Sequence, residues 1–315
     1  GGTNVMSWVD CSLNPSGPEK NNVRIKNTAV GVNYIDTYHR SGVYPVKLPV
    51  VLGLEGVGTV VSVGSGVGDF VEGDRVGYAS VPLGAYCEAR DYPANKLIKI
   101  PHAIGDFEAA SILLKGMTVE YLFNRTYVLR SGEYFLFHAA AGGVGLLACQ
   151  WAKAIGAKMI GTVSNDEKAG LAKESGCSFV INYEKENVVE KVMEITEGRG
   201  VSVAYDGVGK NTFDVTLGCL SERGLFVSFG QSSGMVESVD LHSVFAPKNL
   251  YYTRPSLLVY NKSQKELVKS SEALFKMIES KKISTSYKKY NLKDAAQAHD
   301  DLEKRKTVGS LVLVC

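Results

Sequence analysis

No apolar stretch of the chain is long enough to cross a membrane; the longest runs are short and broken by Gly or charge. No sign of charge dominates. The 35 Lys and Arg nearly balance 33 Asp and Glu, giving a net charge of +2, and the two signs are interspersed. That argues against a nucleic-acid surface, which is built on a clustered basic patch. Close cysteine pairs are missing too. Cys11, Cys87, Cys149, Cys177, Cys219 and Cys315 lie far apart, which excludes a Cys-x-x-Cys metal clip or redox motif. They read as scattered buried thiols in a reducing cytoplasm. The five histidines (39, 102, 138, 242, 299) show no ligand spacing. No Ser/His/Asp or Cys/His constellation is readable, so covalent catalysis has no support. Repeats and low-complexity tracts are absent, and no secretory signal opens the chain, which starts abruptly at Gly1-Gly2-Thr3.

What is present suggests two domains, since 315 residues exceed one average core. The first ~110 residues are rich in Gly, Val and turns. Val23–Lys26 alternates apolar and polar, Gly56–Gly64 is a strand bounded by glycines, and Glu72-Gly73-Asp74-Arg75-Val76 is a turn feeding a strand. These predict a β-rich, barrel-like domain. From Glu133 strands alternate with helices. Tyr134–His138 is a continuous apolar run, as in a strand covered on both faces. Val144, Leu147, Ala148, Trp151 and Ile155 then share one helix face. Strands at 158–163, 178–182, 201–206 and 225–230, with helices between, predict a doubly wound parallel sheet. Helices follow over 265–280 and 293–304. The last strand, Ser310–Val314, has no successor and is expected back in the first domain's sheet. The expected division is 1–116 with 256–315, and 117–255.

The loop Ala139-Ala140-Ala141-Gly142-Gly143-Val144-Gly145 carries the chemistry. A dinucleotide fingerprint has three glycines, G-x-G-x-x-G; here the three places hold Ala140, Gly142 and Gly145. The pattern is degenerate, but it follows a buried strand and opens an amphipathic helix. Gly142 lets the backbone approach a pyrophosphate, Gly145 lets helix pack on strand, and the helix N-terminus supplies N–H donors. An NAD site wants an acid about 20 residues on, for the ribose 2′-hydroxyl. Ser164 stands 19 residues past Gly145, and the strand end Gly161–Asn165 has no acid before Asp166. A carboxylate there would repel a 2′-phosphate, so its absence favours NADP(H). Lys168, one helical turn on, can pair with that phosphate; it also reads as a solvated surface charge. Ser164 or Asn165 also reads as a helix N-cap.

Several phrases together resemble the quinone oxidoreductases, the zeta-crystallin-like, zinc-free branch of the medium-chain dehydrogenase/reductase superfamily. They are Gly31–Tyr38, Ser41–Pro45, Leu114–Thr118, His138–Gln150, Asp206–Gly209 and Thr253–Pro255. The resemblance covers nearly the whole chain, which begins several residues after the family's usual start. It implies a GroES-like catalytic domain, a Rossmann domain, NADPH in a cleft between them, and a homodimer. It also implies residue roles. Asn33 and Tyr38 match nicotinamide-side contacts, and Thr118 belongs to one of the shared phrases. Gly142, Gly143 and Val144 match the pyrophosphate loop. Ser164, Lys168, Tyr183 and Arg305 match positions around the 2′-phosphate, and Phe229, Ser232 and Arg254 match contacts along the cofactor. Tyr183 also reads as a half-buried strand-end aromatic, and Arg305 as a helix C-terminal charge.

Zinc-dependent relatives use a Cys, a His-Glu pair and a later Cys or His. Here the first place reads Asn33-Tyr34-Ile35-Asp36 and the second Gly53-Leu54-Glu55, and only Cys87 lies where a four-Cys lobe would be. Zinc needs three good ligands and an open position, so no metal is expected. Without a Lewis acid, a quinone or enone suits better than an aldehyde, because its conjugated system spreads the incoming charge. Tyr38 and Tyr44 are the candidates for contacting the acceptor; they also read as core or rim aromatics. The leading reading is an NADPH:quinone reductase in the cytoplasm. The alternatives are an enone or 2-alkenal reductase, and a non-enzymatic NADPH-binding protein. Leu250–Thr253 reads as a strand ending the Rossmann run, and its edge is the expected homodimer contact.

Overall fold

The computed structural model describes residues 1–315. They divide into one unit of Gly1–Met117 with Asn261–Cys315, and another of Thr118–Tyr260. Along the chain come β1 (Asn22–Val32), α1 (Tyr34–Ser41), β2 (Glu55–Val63), β3 (Arg75–Ala79), β4 (Ala89–Pro93), β5 (Ile98–Lys99) and α2 (Asp106–Tyr121). Next are β6 (Tyr134–Phe137), α3 (Gly143–Ile155), β7 (Lys158–Val163), α4 (Asp166–Glu174), β8 (Phe179–Asn182), α5 (Val188–Ile195) and β9 (Val201–Asp206). Then follow α6 (Phe213–Cys219), β10 (Leu220–Ser228), α7 (Leu241–Phe245), β11 (Tyr251–Thr253), α8 (Leu257–Tyr260) and α9 (Gln264–Glu279). The chain closes with β12 (Tyr287–Asn291), α10 (Ala295–Glu303) and β13 (Ser310–Val314).

The first unit is one sheet in the order β12-β13-β1-β2-β3-β5, with β4 also paired to β1. The last strand does return there: β13 runs antiparallel to β1, with Gly31 opposite Val312. The alternation seen in the sequence has its cause in burial, since Val23 and Ile25 are fully buried while Lys26 is exposed. Their apolar side chains join Val60, Val76, Tyr78, Tyr92, Leu311 and Leu313 in one core. Two register shifts in the β1–β2 pairing, at Arg24/Ile25 and Asn27/Ala29, bend this sheet.

The second unit is an all-parallel sheet in the order β11-β10-β9-β6-β7-β8. Its first strand, β6, stands in the middle, and the chain winds outward to one side and then the other. That is the doubly wound order, whose switch point lies beyond the C-terminal ends of β6 and β9. Leu136, Ile160, Ile181, Val201, Ala204 and Phe226 form the buried core beneath it. Two details differ from the sequence reading. β10 starts at Leu220 rather than 225, because its register on β9 shifts between Leu220 and Leu225 around Arg223, whose φ is +58°. The return to the first unit comes at Asn261 rather than 256. Tyr260 belongs to the second unit: its ring stacks on Tyr121 at 4.6 Å, and its carbonyl accepts from Arg125 at 2.9 Å.

Candidate functional site

The loop after β6 is built by backbone. Its turn takes a left-handed residue, and that residue is Ala139, with φ +56°. Ala140 N–H then donates to Thr162 O at 3.0 Å, and Gly142 N–H to Ala139 O at 2.9 Å. Ala140 occupies the first glycine place of the fingerprint and is fully buried. The space for its methyl comes from the next strand: a Cβ on Gly161 would lie 2.6 Å from Ala140 Cβ. The last glycine has no such freedom. A Cβ on Gly145 would overlap Ala139 O and sit 2.6 Å from the carbonyl carbon of Ala140. Gly142 is the N-cap of α3, and no side chain caps that end. The first N–H groups of α3 are therefore without a side-chain cap, and an anion is a fitting partner for them.

At the end of β7, Lys168 Nζ reaches Ser164 Oγ at 3.5 Å. The α4 cap is Asn165, whose Oδ1 accepts from Lys168 N–H at 2.9 Å. The nearest acid, Asp166, is tied elsewhere: Asn182 Nδ2 donates to Oδ1 at 2.9 Å and Lys185 Nζ to Oδ2 at 2.5 Å. These partners hold its carboxyl below the usual carboxylate range. Tyr183 follows β8 and is exposed; its N–H donates to Val163 O at 3.1 Å, beside Ser164. The ensemble presents a hydroxyl and an ammonium, with the acid engaged on β8, and so suits a phosphate.

The loop after β9 hangs from Asp206, which is fully buried. Its Oδ1 accepts from Val208 N–H at 2.7 Å and Gly209 N–H at 3.0 Å; its Oδ2 accepts from Thr212 Oγ1 at 2.7 Å. Phe229 N–H donates to Asp206 O at 2.8 Å, and Ser232 N–H to Gly207 O at 3.2 Å. The Phe229 ring lies 5.5 Å from that of Phe137, at the end of β6. Arg254 follows β11 and donates to Ser228 O at 3.0 Å. Thr118 is buried in α2. Gly142, Gly143, Val144, Phe229 and Ser232 thus gather at the switch point, while Ser164, Lys168 and Tyr183 stand at the β7–β8 ends.

In the first unit, Asn33 ends β1 and starts α1. Its Nδ2 donates to Glu55 Oε2 at 2.7 Å and its backbone N–H to Asp36 Oδ2 at 2.9 Å. The rings of Tyr38 and Tyr44 meet edge to face at 5.2 Å, and Tyr34 joins them 5.6 Å from Tyr38. Arg305 follows α10 and is exposed, with φ +56°. Sequence reasoning missed what lies beneath Asn33. Asp36 Oδ2 also accepts from Tyr86 OH at 3.1 Å. Tyr86 OH meets His299 Nε2 at 2.8 Å, and His299 Nδ1 meets Arg40 Nη1 at 3.2 Å. Arg40 pairs bidentately with Glu303 at 2.8 and 2.7 Å. An arginine can only donate, so His299 accepts on Nδ1, donates from Nε2, and turns the Tyr86 hydroxyl toward Asp36. Burial pushes the Asp36 carboxyl up to about 7 and His299 down to about 4. No three His, Cys, Asp or Glu side chains gather as a metal site would need. Leu54, in the place of a zinc-binding histidine, is a buried core residue.

Two family descriptions match the chain: Alcohol dehydrogenase GroES-like domain over residues 19–126, and Zinc-binding dehydrogenase over 143–272. A Pseudomonas aeruginosa protein named quinone oxidoreductase is 47% identical over 316 residues, covering 100% of this chain and 97% of that protein. A Burkholderia 2-haloacrylate reductase is 41% identical, covering 100% and 96%. The crystal structure of Escherichia coli quinone oxidoreductase complexed with NADPH superposes with a TM-score of 0.97 at 48% identity, covering 100% and 97%.

Proposed function

Because this chain belongs to the quinone oxidoreductase family of the medium-chain dehydrogenases and reductases, we propose that it reduces a quinone with NADPH and without a metal ion. The observation that carries this reading is the uncapped N-terminus of α3 behind Gly142, with Ser164 and Lys168 where an NAD site would hold an acid. When bound, NADPH supplies a hydride from nicotinamide C4. The N–H groups of Gly142, Gly143 and Val144 would hold its pyrophosphate. Ser164, Lys168, Tyr183 and Arg305 would serve the 2′-phosphate, and Thr118, Phe229, Ser232 and Arg254 the rest of the cofactor. Asn33 and Tyr38 would meet the nicotinamide, with Tyr38 and Tyr44 against the acceptor. A quinone spreads the incoming charge over its own ring, so hydrogen bonds and exclusion of water suffice in place of a Lewis acid. The proton comes afterwards from water.

Conjugate reduction of an enone or alkenal is the second reading, favoured by the likeness to a 2-haloacrylate reductase. A homodimer is supported by β11, a sheet edge paired on one side only, with Tyr251 and Tyr252 exposed along it. A cytoplasmic location is supported by six unpaired cysteines, of which Cys149, Cys177 and Cys219 are buried as expected while Cys11 and Cys315 are exposed. Steady-state NADPH oxidation against a panel of quinones and enones tests the acceptor. Quinone turnover is expected. Turnover of enones alone would replace the leading reading with the second, and tight NADPH binding with no turnover would leave a binding protein. A monomeric mass at micromolar concentration would contradict the dimer.

A further inference from the structure

Glu55 has no part in the reaction as described, yet it is fully buried against Asn33. Its Oε1 accepts from the backbone N–H of Leu114 at 2.8 Å, and its Oε2 from Asn33 Nδ2 at 2.7 Å. Lys115 Nζ stands 4.0 Å from Oε2. Each of these neighbours is a donor, as an ionised carboxylate requires. The Leu114 N–H sits in helix α2 and cannot turn, so Oε1 is committed to it. Oε2 can then only receive a donor, and Asn33 must answer with its amide nitrogen. The carbonyl oxygen of the same carboxamide is thereby turned away from Glu55. That atom, Asn33 Oδ1, is buried and has no hydrogen-bond partner in the chain. A buried acceptor in that state is unfavourable unless a donor from a ligand or a water reaches it. Asp36 holds the Asn33 backbone N–H, and its own N–H, which the Asn33 side chain faces in a capping-box arrangement, donates to the Asn33 backbone O at 3.0 Å; the one side-chain hydrogen bond on the amide is the one to Glu55.

We propose that Glu55 is a positioning residue: its carboxylate fixes the facing of the Asn33 carboxamide, leaving Oδ1 as an acceptor for the carboxamide N–H of the nicotinamide. The proposal rests on the reading of Asn33 as a nicotinamide-side contact.

The test exchanges donors for acceptors without changing shape. In Glu55→Gln, the new amide keeps its oxygen on Leu114 N–H and turns its NH2 to Asn33. Two NH2 groups then oppose each other, and Asn33 flips to present a donor in place of an acceptor. NADPH affinity, read by fluorescence titration, and kcat with a quinone are expected to fall together by roughly ten- to a hundredfold, the size of a buried hydrogen bond lost with its partner left unsatisfied. Asn33→Asp alone sets two carboxylates face to face and is also expected to be impaired. The pair Asn33→Asp with Glu55→Gln restores a donor from residue 55 and an outward acceptor on residue 33. Recovery to within a few-fold in the pair, with both single variants weak, would bear the proposal out. A pair as weak as its worse single variant would overturn it. Asn33→Ala separates the two layers. If it binds NADPH and turns over like the unaltered chain, the reading of Asn33 itself fails. If it is impaired while Glu55→Gln is not, only the positioning role fails. Thermal melting without NADPH checks that each variant folds; should Glu55→Gln not fold, Asn33→Asp against the pair still decides.

Discussion

The loop after β6 and the cluster around Asn33 solve the same kind of problem by opposite means. The loop offers a ligand its backbone: uncapped N–H groups, a glycine whose Cβ would overlap the preceding turn, and a buried alanine seated over Gly161. No titratable side chain takes part in that turn. The Asn33 cluster offers a side chain, and it takes Glu55, Asp36, Tyr86, His299 and Arg40 to hold it. A backbone site is specified by which residues lack a side chain. A side-chain site is specified by a buried hydrogen-bond chain whose donors and acceptors must face one another in order. The first should be sensitive to added atoms and indifferent to pH; the second should respond to pH and to exchange of a donor for an acceptor.

The largest expected effect is steric. Gly145→Val puts atoms into Ala139 and Ala140, and NADPH binding should be lost at micromolar concentrations; fluorescence titration reads this. Overpacking of this kind also lowers stability by about 1–3 kcal/mol, which thermal melting reads.

Next comes the pH response of the cluster. Asp36 has a native value of about 7 against an ordinary 3.8, so the folded chain holds a proton there that the unfolded chain releases. Its contribution to stability is full below pH 3.8 and is lost as pH rises toward 7. His299 has the opposite sign: lowered from 6.5 to about 4, its contribution is present above pH 6.5 and is lost as pH falls through 4. The two oppose each other across most of that window, so the unaltered chain should show a shallow profile. Asp36→Asn removes one of them. Relative to the unaltered chain, this variant should gain stability from pH 4 to 7, at up to about 1.4 kcal/mol per pH unit. Urea unfolding at a series of pH values measures it, and parallel profiles would contradict the assignment.

Smaller still is the change in cofactor preference. Ser164→Asp restores an acid at the end of β7 and sets it against a 2′-phosphate. NADPH affinity should fall about tenfold or more through like-charge repulsion, while NADH is unharmed or improved. Ratios of Kd for the two nucleotides read it. The smallest effects fall on the turn. Ala139→Gly should stabilise by about 1 kcal/mol, since Ala139 holds the left-handed φ. Ala140→Gly completes the three-glycine pattern yet should gain no NADPH affinity, because the space over Gly161 is already filled by a methyl.

The same contrast explains what was legible in the sequence. Strand–loop–helix order survives as spacing, so the β6–α3 loop, the parallel sheet and the return of β13 could be read from residue order. The first fingerprint place falls on Ala140 while the positive φ falls on Ala139, since the fingerprint says where glycine is usual and not where φ is positive. Around Asn33 the partners lie 22, 50 and 213 residues apart along the hydrogen-bond chain. No periodicity links such positions. Family resemblance points to Asn33, and in the sequence Glu55 reads only as a lone carboxylate that cannot make a zinc site. Tyr86 and His299 carry no local signal at all; only the folded sheet brings them together.

The proposed NADPH site is an uncapped helix end with Ser164 and Lys168 in place of an acid. Its most direct test is equilibrium titration of the unaltered protein with NADPH and NADH side by side. A markedly lower Kd for NADPH, with the difference shrinking in Lys168→Ala, is the expected result. Equal affinities, or tighter binding of NADH, would contradict it.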